Sequence, residues 1–459
     1  MKSSSTPSSS IQISEILREQ KLFFQAGKTR SLEVRVAALT RLEEVFVARK
    51  EEVLEVLKKD LGKPELEAFL SEYYFVLQEI RLLKKFLKRW MRPRRVESPF
   101  YFFPSHNEVR WEPHGQVLII APWNYPLQLA LAPLLGALAA GNTILLKPSE
   151  YTPACASFLE ACLGEAFEKG WVTVMQGDAE LTSNLLEHRF DFVFFTGSTS
   201  VGRIVAEKIA RHLTPSVLEL GGKCPCIVDE TADLSIAAKR ILIGKLFNAG
   251  QTCLAPDFVA VASEVRDEFV AELKSLLEEL PWEEELALIV NETHYQRLQN
   301  MLSEGAYQKG EDQPAKLHLA PRILEHTHWE DKVMEEEVFG PILPVVEYRD
   351  KEELFARLER FSEPLALYCF SRENRFVDDL TARFPSGGVC VNDVIKQSTN
   401  LKMPFGGKGE SGYGRYRGKR TVEIFSYERA YMRRFFVADL FESLPPRKKQ
   451  MEFFRKWMK

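Results

Sequence analysis

The chain reads as an α/β protein built on two doubly wound parallel sheets, and three observations carry that reading. Across residues 11–92 apolar side chains recur at spacings of three and four, through Leu32, Val36, Leu39, Leu42 and Phe46, which is the helical period. From Gln116 onward short apolar runs alternate with helical stretches, as parallel strands joined by crossover helices do. A second cycle of the same kind starts near Asp233.

Each element follows from local signals. A further helical run covers residues 66–90, and Pro93 ends it. Basic residues crowd its end at Lys84, Lys85, Lys88, Arg89, Arg92, Arg94 and Arg95, as a solvated helix face or an anion patch. Residues 98–111 are aromatic-rich, with Pro99 and Pro104 as breakers, and read as an extended excursion. The mostly apolar runs 117–121, 143–147, 171–175, 191–196 and 216–220 read as strands buried on both faces. Helices fill the intervals at 126–140, 153–169, 180–188 and 200–212, the first stopped by Gly141 and Asn142. The second cycle places helices at 234–248, 265–280, 351–361 and 375–384, and strands at 258–262, 342–348, 365–370 and 388–392. Residues 421–436 alternate loosely and read as one long strand, followed by a separate tail.

Composition narrows the function. Sixty-one Lys and Arg against sixty-five Asp and Glu leave a formal charge of −4, too balanced to hold nucleic acid through a general field. Seven cysteines are scattered without a disulfide framework, so they read as reduced thiols in a cytoplasmic protein. The serine-rich first ten residues lack the apolar core of a signal peptide and are expected to be a disordered start. The longest apolar stretch, 127–140, falls short of the ~20 residues that span a bilayer and reads as a buried helix.

The chemistry begins with Cys253, in Gly250-Gln251-Thr252-Cys253-Leu254-Ala255-Pro256. It lies just past a helix end, between Gly and Pro, hence on a turn, where rigid scaffolds present reactive groups. The other cysteines lie mostly in apolar runs and read as fillers. Glu219, in Leu218-Glu219-Leu220-Gly221-Gly222-Lys223, ends a buried strand. A charge there is costly unless it is used or paired, with Lys223 or another base as candidate partner. Strand C-termini are also where open α/β sheets place ligands. The strand 191–196 runs through Gly197-Ser198-Thr199-Ser200-Val201-Gly202 into a helix, an arrangement that holds a diphosphate. The literal G-x-G-x-x-G at Gly407-Lys408-Gly409-Glu410-Ser411-Gly412 follows no buried strand and opens no clear helix, so it reads as a flexible loop near the site.

Seven segments then occur in order: Ala121-Pro122-Trp123-Asn124-Tyr125-Pro126, Leu146-Lys147-Pro148-Ser149-Glu150, Phe195-Thr196-Gly197-Ser198, Glu219-Leu220-Gly221-Gly222-Lys223, Gly250-Gln251-Thr252-Cys253, Glu337-Val338-Phe339-Gly340-Pro341 and Pro404-Phe405-Gly406-Gly407. Together they resemble the NAD(P)-dependent aldehyde dehydrogenase superfamily, over about residues 12–435. The short helical N-terminus and Gly388-Val389-Cys390-Val391-Asn392-Asp393-Val394-Ile395 look most like its class 3 branch, the fatty and aromatic aldehyde dehydrogenases. The resemblance implies an aldehyde dehydrogenase-like α/β fold. Its Rossmann-type parallel-sheet cofactor domain would span residues 11–218, with projecting strands at 98–111. An α/β catalytic domain would follow at 219–420, a small strand-pairing oligomerisation element at 421–436 and a C-terminal tail at 437–459.

The resemblance also implies roles. Cys253 attacks the aldehyde carbon, Asn124 and the Cys253 backbone N–H hold the resulting oxyanion, and Glu219 activates the water that hydrolyses the thioester. Burial is expected to raise the Glu219 pKa toward neutrality. NAD or NADP is assigned to Lys147, Glu150, Gly197, Ser198, Gly202, Glu337, Phe339 and Trp123, and no metal is expected. Lys147 goes to the adenosine ribose, Glu337 to the nicotinamide ribose, and Phe339 packs near the nicotinamide. Glu150 would bind a ribose 2′-hydroxyl and oppose a 2′-phosphate by roughly 3–4 kcal/mol at a few Å and an effective dielectric near 20, which leans toward NAD. Tyr73, Tyr74 and Trp123 are available to line an entry tunnel, and the tyrosines equally suit the core. No Arg pair marks an acidic substrate, so the aldehyde is read as apolar, medium- or long-chain aliphatic or aromatic.

Two departures stand out. Cys224 stands where the family more often has Ser, and it reads as a buried filler. Tyr416, in Arg415-Tyr416-Arg417-Gly418, stands where many relatives outside class 3 carry Glu, so a proton path through that Glu is absent. The branch implies a homodimer. The basic, aromatic tail either packs on the partner subunit, the favoured reading, or makes peripheral membrane contact. The rivals are a CoA-acylating aldehyde dehydrogenase, which would not need Glu219, and a catalytically silent binding protein on the same fold. His326 and His328 alone make a weak zinc site.

Overall fold

The computed structural model describes residues 8–99, 102–279, 281–302, 305–436 and 447–457. Helices Ser8–Gln25, Leu32–Ala48, Lys50–Leu61 and Phe75–Trp90 form the N-terminal layer that the apolar repeat predicts. Ser31 caps the second, its hydroxyl accepting from the Val34 amide. Just before the last, Phe69–Tyr74 winds as a π-helical turn, which the apolar period does not signal.

In chain order the strands are β1 (Arg94–Arg95), β2 (Ser105–Pro113), β3 (Gln116–Ile120), β4 (Thr143–Lys147), β5 (Val172–Val174), β6 (Phe192–Thr196), β7 (Ser216–Glu219) and β8 (Pro225–Val228). Then come β9 (Phe258–Ala262), β10 (Tyr307–Gln308), β11 (Arg322–Leu324), β12 (Ile342–Tyr348), β13 (Ala366–Phe370), β14 (Gly388–Val391), β15 (Gly412–Tyr413) and β16 (Ser426–Arg434). The first large sheet has the order β15-β7-β6-β3-β4-β5 and is parallel except for β15. The second has the order β10-β11-β12-β9-β8-β13-β14 and is parallel except for β10. A third, antiparallel sheet joins β1, β2 and β16, and β2 and β16 pair along their whole lengths.

Helices cover both faces of the first sheet, which is why its strands read as continuous apolar runs. On one face Val117, Ile119 and Ile144 pack against the N-terminal helices and the helix Gln128–Ala140, every residue of which is buried. On the other face Leu118, Ile120 and Leu145 meet Ile13, Val205 and Ile209. Among the described residues no helix is long and apolar enough to cross a membrane.

Several stretches differ from the sequence reading: the first helix begins at Ser8, inside the expected disordered start, and β1, β10, β11, β15 and the helix Glu292–Gln299 have no counterpart in it. The single strand expected over 421–436 is a helix, Lys419–Ile424, followed by β16. Thr421, Val422 and Phe425 are all buried. Their spacing of three and four lies along a helix face, and Thr421 fills the hollow over Gly136. No strand was expected at β8. Pro225 opens it, where a missing N–H costs the ladder little, and Cys226 and Ile227 are wholly buried in it. In the tail a helix runs from Lys448–Trp457, with Met451 and Phe453 half exposed. Residues 437–446, with Phe441 and Leu444, and the aromatics Phe100 and Tyr101 lie outside the described residues.

Candidate active site

β7 delivers Glu219 at its C-terminal end. Its carboxyl is buried, and neither oxygen has a hydrogen-bond partner among the described residues. Lys223 is engaged elsewhere: its Nζ lies 2.5 Å from Asp257 Oδ2 and donates to the carbonyls of Val333 and Glu336 at 2.9 Å. The pairing of Glu219 with Lys223 is therefore excluded. Burial pushes the Glu219 carboxyl well above its ordinary value, and Arg415 and Arg417 pull it back. β15 pairs with β7 so that Gly412 lies opposite Glu219. A side chain at Gly406 would stand 2.9 Å from Glu219 Oε1. The glycine-rich loop thus walls the carboxyl.

Cys253 follows the helix Leu234–Leu246 through a turn in which Asn248 and Ala249 hold left-handed φ values of 55° and 52°. Cys253 is partly exposed on a cavity of about 820 Å³ that Tyr74, Phe75, Leu129, Phe247 and Leu254 also line. Burial pushes its thiol up to about 12, the carboxyls of Glu337 and Glu219 add to the rise, and Arg417 opposes it. Cys224 lies directly behind the turn, wholly buried, its Sγ donating to the Cys253 carbonyl at 3.3 Å. It is thus a packed donor supporting the turn as well as a filler.

Asn124 sits, buried, in the connection from β3 to the helix Gln128–Ala140. Its Nδ2 donates to the Gln251 carbonyl at 3.1 Å, two residues ahead of Cys253, and one of the two amide N–H bonds is enough for that contact. Its backbone carbonyl accepts from Asn248 Nδ2 at 2.9 Å and from Lys63 Nζ at 3.2 Å. Lys63 is ion-paired with Glu72 at 2.7 Å, both side chains having no exposure. The other Glu72 oxygen accepts from the Leu127 and Gln128 amides at 3.1 and 2.8 Å, capping the N-terminus of the buried helix. Tyr125 closes the same seam, its hydroxyl 2.6 Å from Thr252 Oγ1. Sequence reasoning missed Lys63, Glu72 and Asn248. The available signal was a glutamate inside an apolar helical face.

The residues expected at the cofactor stand along the C-terminal ends of the first sheet and the facing loop. Lys147 ends β4, and its Nζ pairs with Glu150 Oε2 at 2.6 Å. Gly197 leads from β6 to Ser198, which caps the helix Thr199–Ala210. Gly202, within that helix, also lies against the sheet. A side chain there would meet Leu220 Cδ2 at 2.5 Å, so this glycine lets the helix close on the end of β7. Glu337 stands over Gly221, partly exposed as a residue, and its buried Oε1 lacks a partner among the described residues. Burial raises its carboxyl to about 8, with Asp257 adding and the Gly222 backbone, Lys223 and Arg297 opposing. Phe339 holds a left-handed φ of 47°, and the Trp123 ring meets it edge-on at 5.5 Å. Trp123 therefore stands on the Phe339 side and does not line the cavity above Cys253. Tyr74 does line it, whereas Tyr73 is buried and stacks on Phe46 at 5.3 Å. An unpartnered buried carboxylate suits ribose hydroxyls, and a capped twelve-residue helix behind a glycine suits a diphosphate. Among the described residues no three His, Cys, Asp or Glu cluster as metal ligands.

The profile of the Aldehyde dehydrogenase family matches residues 6–430. The chain is 38% identical over 452 residues to the 4,4'-diaponeurosporen-aldehyde dehydrogenase of Staphylococcus aureus, covering 96% of this chain and 98% of that one. It is 40% identical over 424 residues to aldehyde dehydrogenase family 3 member B1 of Mus musculus, covering 91% of each. A solved structure of the substrate-bound state of Staphylococcus aureus AldH superposes with a TM-score of 0.93 at 37% identity, over 97% of this chain and 99% of that one.

Proposed function

The chain belongs to the aldehyde dehydrogenase family, an NAD(P)-dependent oxidoreductase family, and from that premise we propose that it oxidises apolar aldehydes to carboxylic acids at Cys253. The observation that carries the proposal is the buried, unpartnered Glu219 carboxyl, close enough for its charge to raise the thiol that lines the apolar cavity.

The Cys253 thiolate adds to the aldehyde carbon and forms a hemithioacetal. The new oxyanion takes hydrogen bonds from the Asn124 amide and the Cys253 backbone N–H, donors whose benefit grows as charge develops. A bound nicotinamide would supply the hydride acceptor that conversion of the hemithioacetal to a thioester needs. Lys147, Gly197, Ser198, Glu337 and Phe339 would hold that cofactor. Glu219 removes a proton from the water that attacks the thioester carbonyl; the acid leaves and the Cys253 thiolate is restored. A carboxyl held above its ordinary pKa is a stronger base than a free carboxylate, and a hydrolytic base favours this reading over CoA transfer.

NAD is the favoured cofactor because Glu150 would repel a 2′-phosphate. Its ion pair with Lys147 at 2.6 Å reduces that repulsion. Residues 11–218 are proposed as the cofactor domain and 219–420 as the catalytic domain, β15 crossing back to the first sheet. The β1-β2-β16 sheet is the proposed homodimer contact, and its β16 edge is open to pairing. The tail helix Lys448–Trp457 is proposed to pack on the partner subunit.

The test is absorbance at the reduced-nicotinamide band, with aliphatic aldehydes of graded length, aromatic aldehydes and both cofactors. Turnover that rises with apolar chain length and vanishes in Cys253→Ala supports the proposal. Turnover that survives Cys253→Ala overturns it.

A further inference from the structure

We infer that the aldehyde taken by this pocket carries an anionic group, a carboxylate or a phosphate, at the end of its apolar chain farthest from the aldehyde. The inference rests on aldehyde oxidation at Cys253.

The lining of the cavity above Cys253 includes the apolar side chains of Phe75, Leu129, Phe247 and Leu254. Its lining also holds five cations, Arg81, Lys85, Lys396, Lys402 and Arg417, and among the described residues no acid. Leu82, Phe86 and Lys402 also line a second cavity, of about 640 Å³, so the two adjoin. The second adds Arg89, Arg92, Arg94 and Lys419. Its two acids are already engaged, Glu423 with Lys419 at 2.7 Å and Arg420 at 2.9 Å, and Glu428 with Arg94 at 3.5 Å. Arg81 is engaged as well, with Glu43 at 2.9 Å. Among the described residues no carboxylate pairs with Lys85, Arg89, Arg92, Lys396 or Lys402. Apart from Arg417, whose charge acts on Cys253 and Glu219, eight cations thus face two lining acids along this path, in a chain whose net charge is −4.

Four of the basic residues of 84–95, Lys85, Arg89, Arg92 and Arg94, therefore have a place: they line the two adjoining cavities on the side of the thiol. The aldehyde end must reach Cys253, so only the far end of a substrate can meet Lys402 and the cations beyond it. An anion there relieves repulsion among like charges that a neutral chain would leave untouched, and a cationic rim around a low-dielectric pocket raises the local concentration of anions. Sequence alone hides this because the rim is assembled from the helix Phe75–Trp90 and the distant 396–402 segment.

The experiment compares kcat/KM for three aldehydes of equal chain length, with a methyl, a carboxylate or a phosphate at the far end. It uses the full chain with NAD at low salt. The expected result is a gain of about tenfold for at least one anionic end over the methyl end, fading between about 10 mM and about 0.5 M salt. Gain with both anions supports charge recognition, and gain with one alone supports it and names the group. Lys402→Glu should cut the anionic-to-neutral ratio about tenfold. If that variant does not fold, the salt series on the unaltered protein carries the decision. Equal kcat/KM for all three overturns the inference and leaves the oxidation standing. No reduced nicotinamide from any of them overturns both.

Discussion

Replacing Lys63 with methionine separates the support of Asn124 from its chemistry. Lys63 and Glu72 have no exposed side-chain surface and lie 2.7 Å apart. Removing one partner of such a pair typically costs about 3–5 kcal/mol, because the other charge is left buried. Glu72 keeps the Leu127 and Gln128 amides as donors, so the low end, about 3 kcal/mol, is expected. The change also removes one of the two donors to the Asn124 carbonyl. A displacement on the order of 1 Å in an oxyanion donor can cost about 10² in rate. Denaturant unfolding should therefore show Lys63→Met losing about 3 kcal/mol, and single-turnover formation of reduced nicotinamide should slow by about 10–10². The double variant Lys63→Met, Glu72→Leu should regain most of the stability and little of the rate. In an Asn124→Ala background Lys63→Met should cost almost nothing further. Full additivity with Asn124→Ala, or a stability loss below about 1 kcal/mol, would refute the reasoning.

Asn124→Ala alone should lower kcat by about 10²–10³ in steady-state turnover, the usual loss for one oxyanion donor. Without cofactor, iodoacetamide should alkylate Cys253 slowly, at a rate rising about tenfold per pH unit from pH 7 to pH 10. The thiol is pushed up to about 12, so thiolate forms only as pH climbs; a plateau below pH 9 would contradict that. Glu337→Gln removes the larger of the two carboxyl contributions and should bring that pH profile downward. Glu150→Gln should raise the NADP-to-NAD ratio of kcat/KM by about three- to tenfold, modest because Lys147 already offsets the charge.

The fold was legible wherever the apolar period matched one element. Strands 143–147, 258–262 and 342–348 were read at their observed limits because both faces are covered, so every residue is apolar or nearly so. The period failed at 421–436, where buried residues belong to a short helix and then an exposed strand, and the two periods blur. It gave no strand at β8, a run of only four residues that opens on Pro225. In the site, the placement of Cys253 after a turn and of Glu219 at a strand end was legible, while the roles proposed for them and for Asn124 rest on the ordered motifs. Lys63, Glu72 and the cationic rim were not, since each contributes through partners more than fifty positions away or through a surface assembled from separate segments. The packing of Gly202 against Leu220 is a second constraint on that glycine, and only the three-dimensional structure shows it.

In the proposed reaction one thiol carries the acyl group and one carboxyl releases it. Intact-mass measurement of Glu219→Gln, quenched after mixing with aldehyde and NAD, separates the two roles. A covalent acyl adduct should accumulate on Cys253, with one equivalent of reduced nicotinamide formed in the burst, and neither should form in Cys253→Ala. A Glu219→Gln enzyme that turns over at the normal steady rate without an adduct would contradict it.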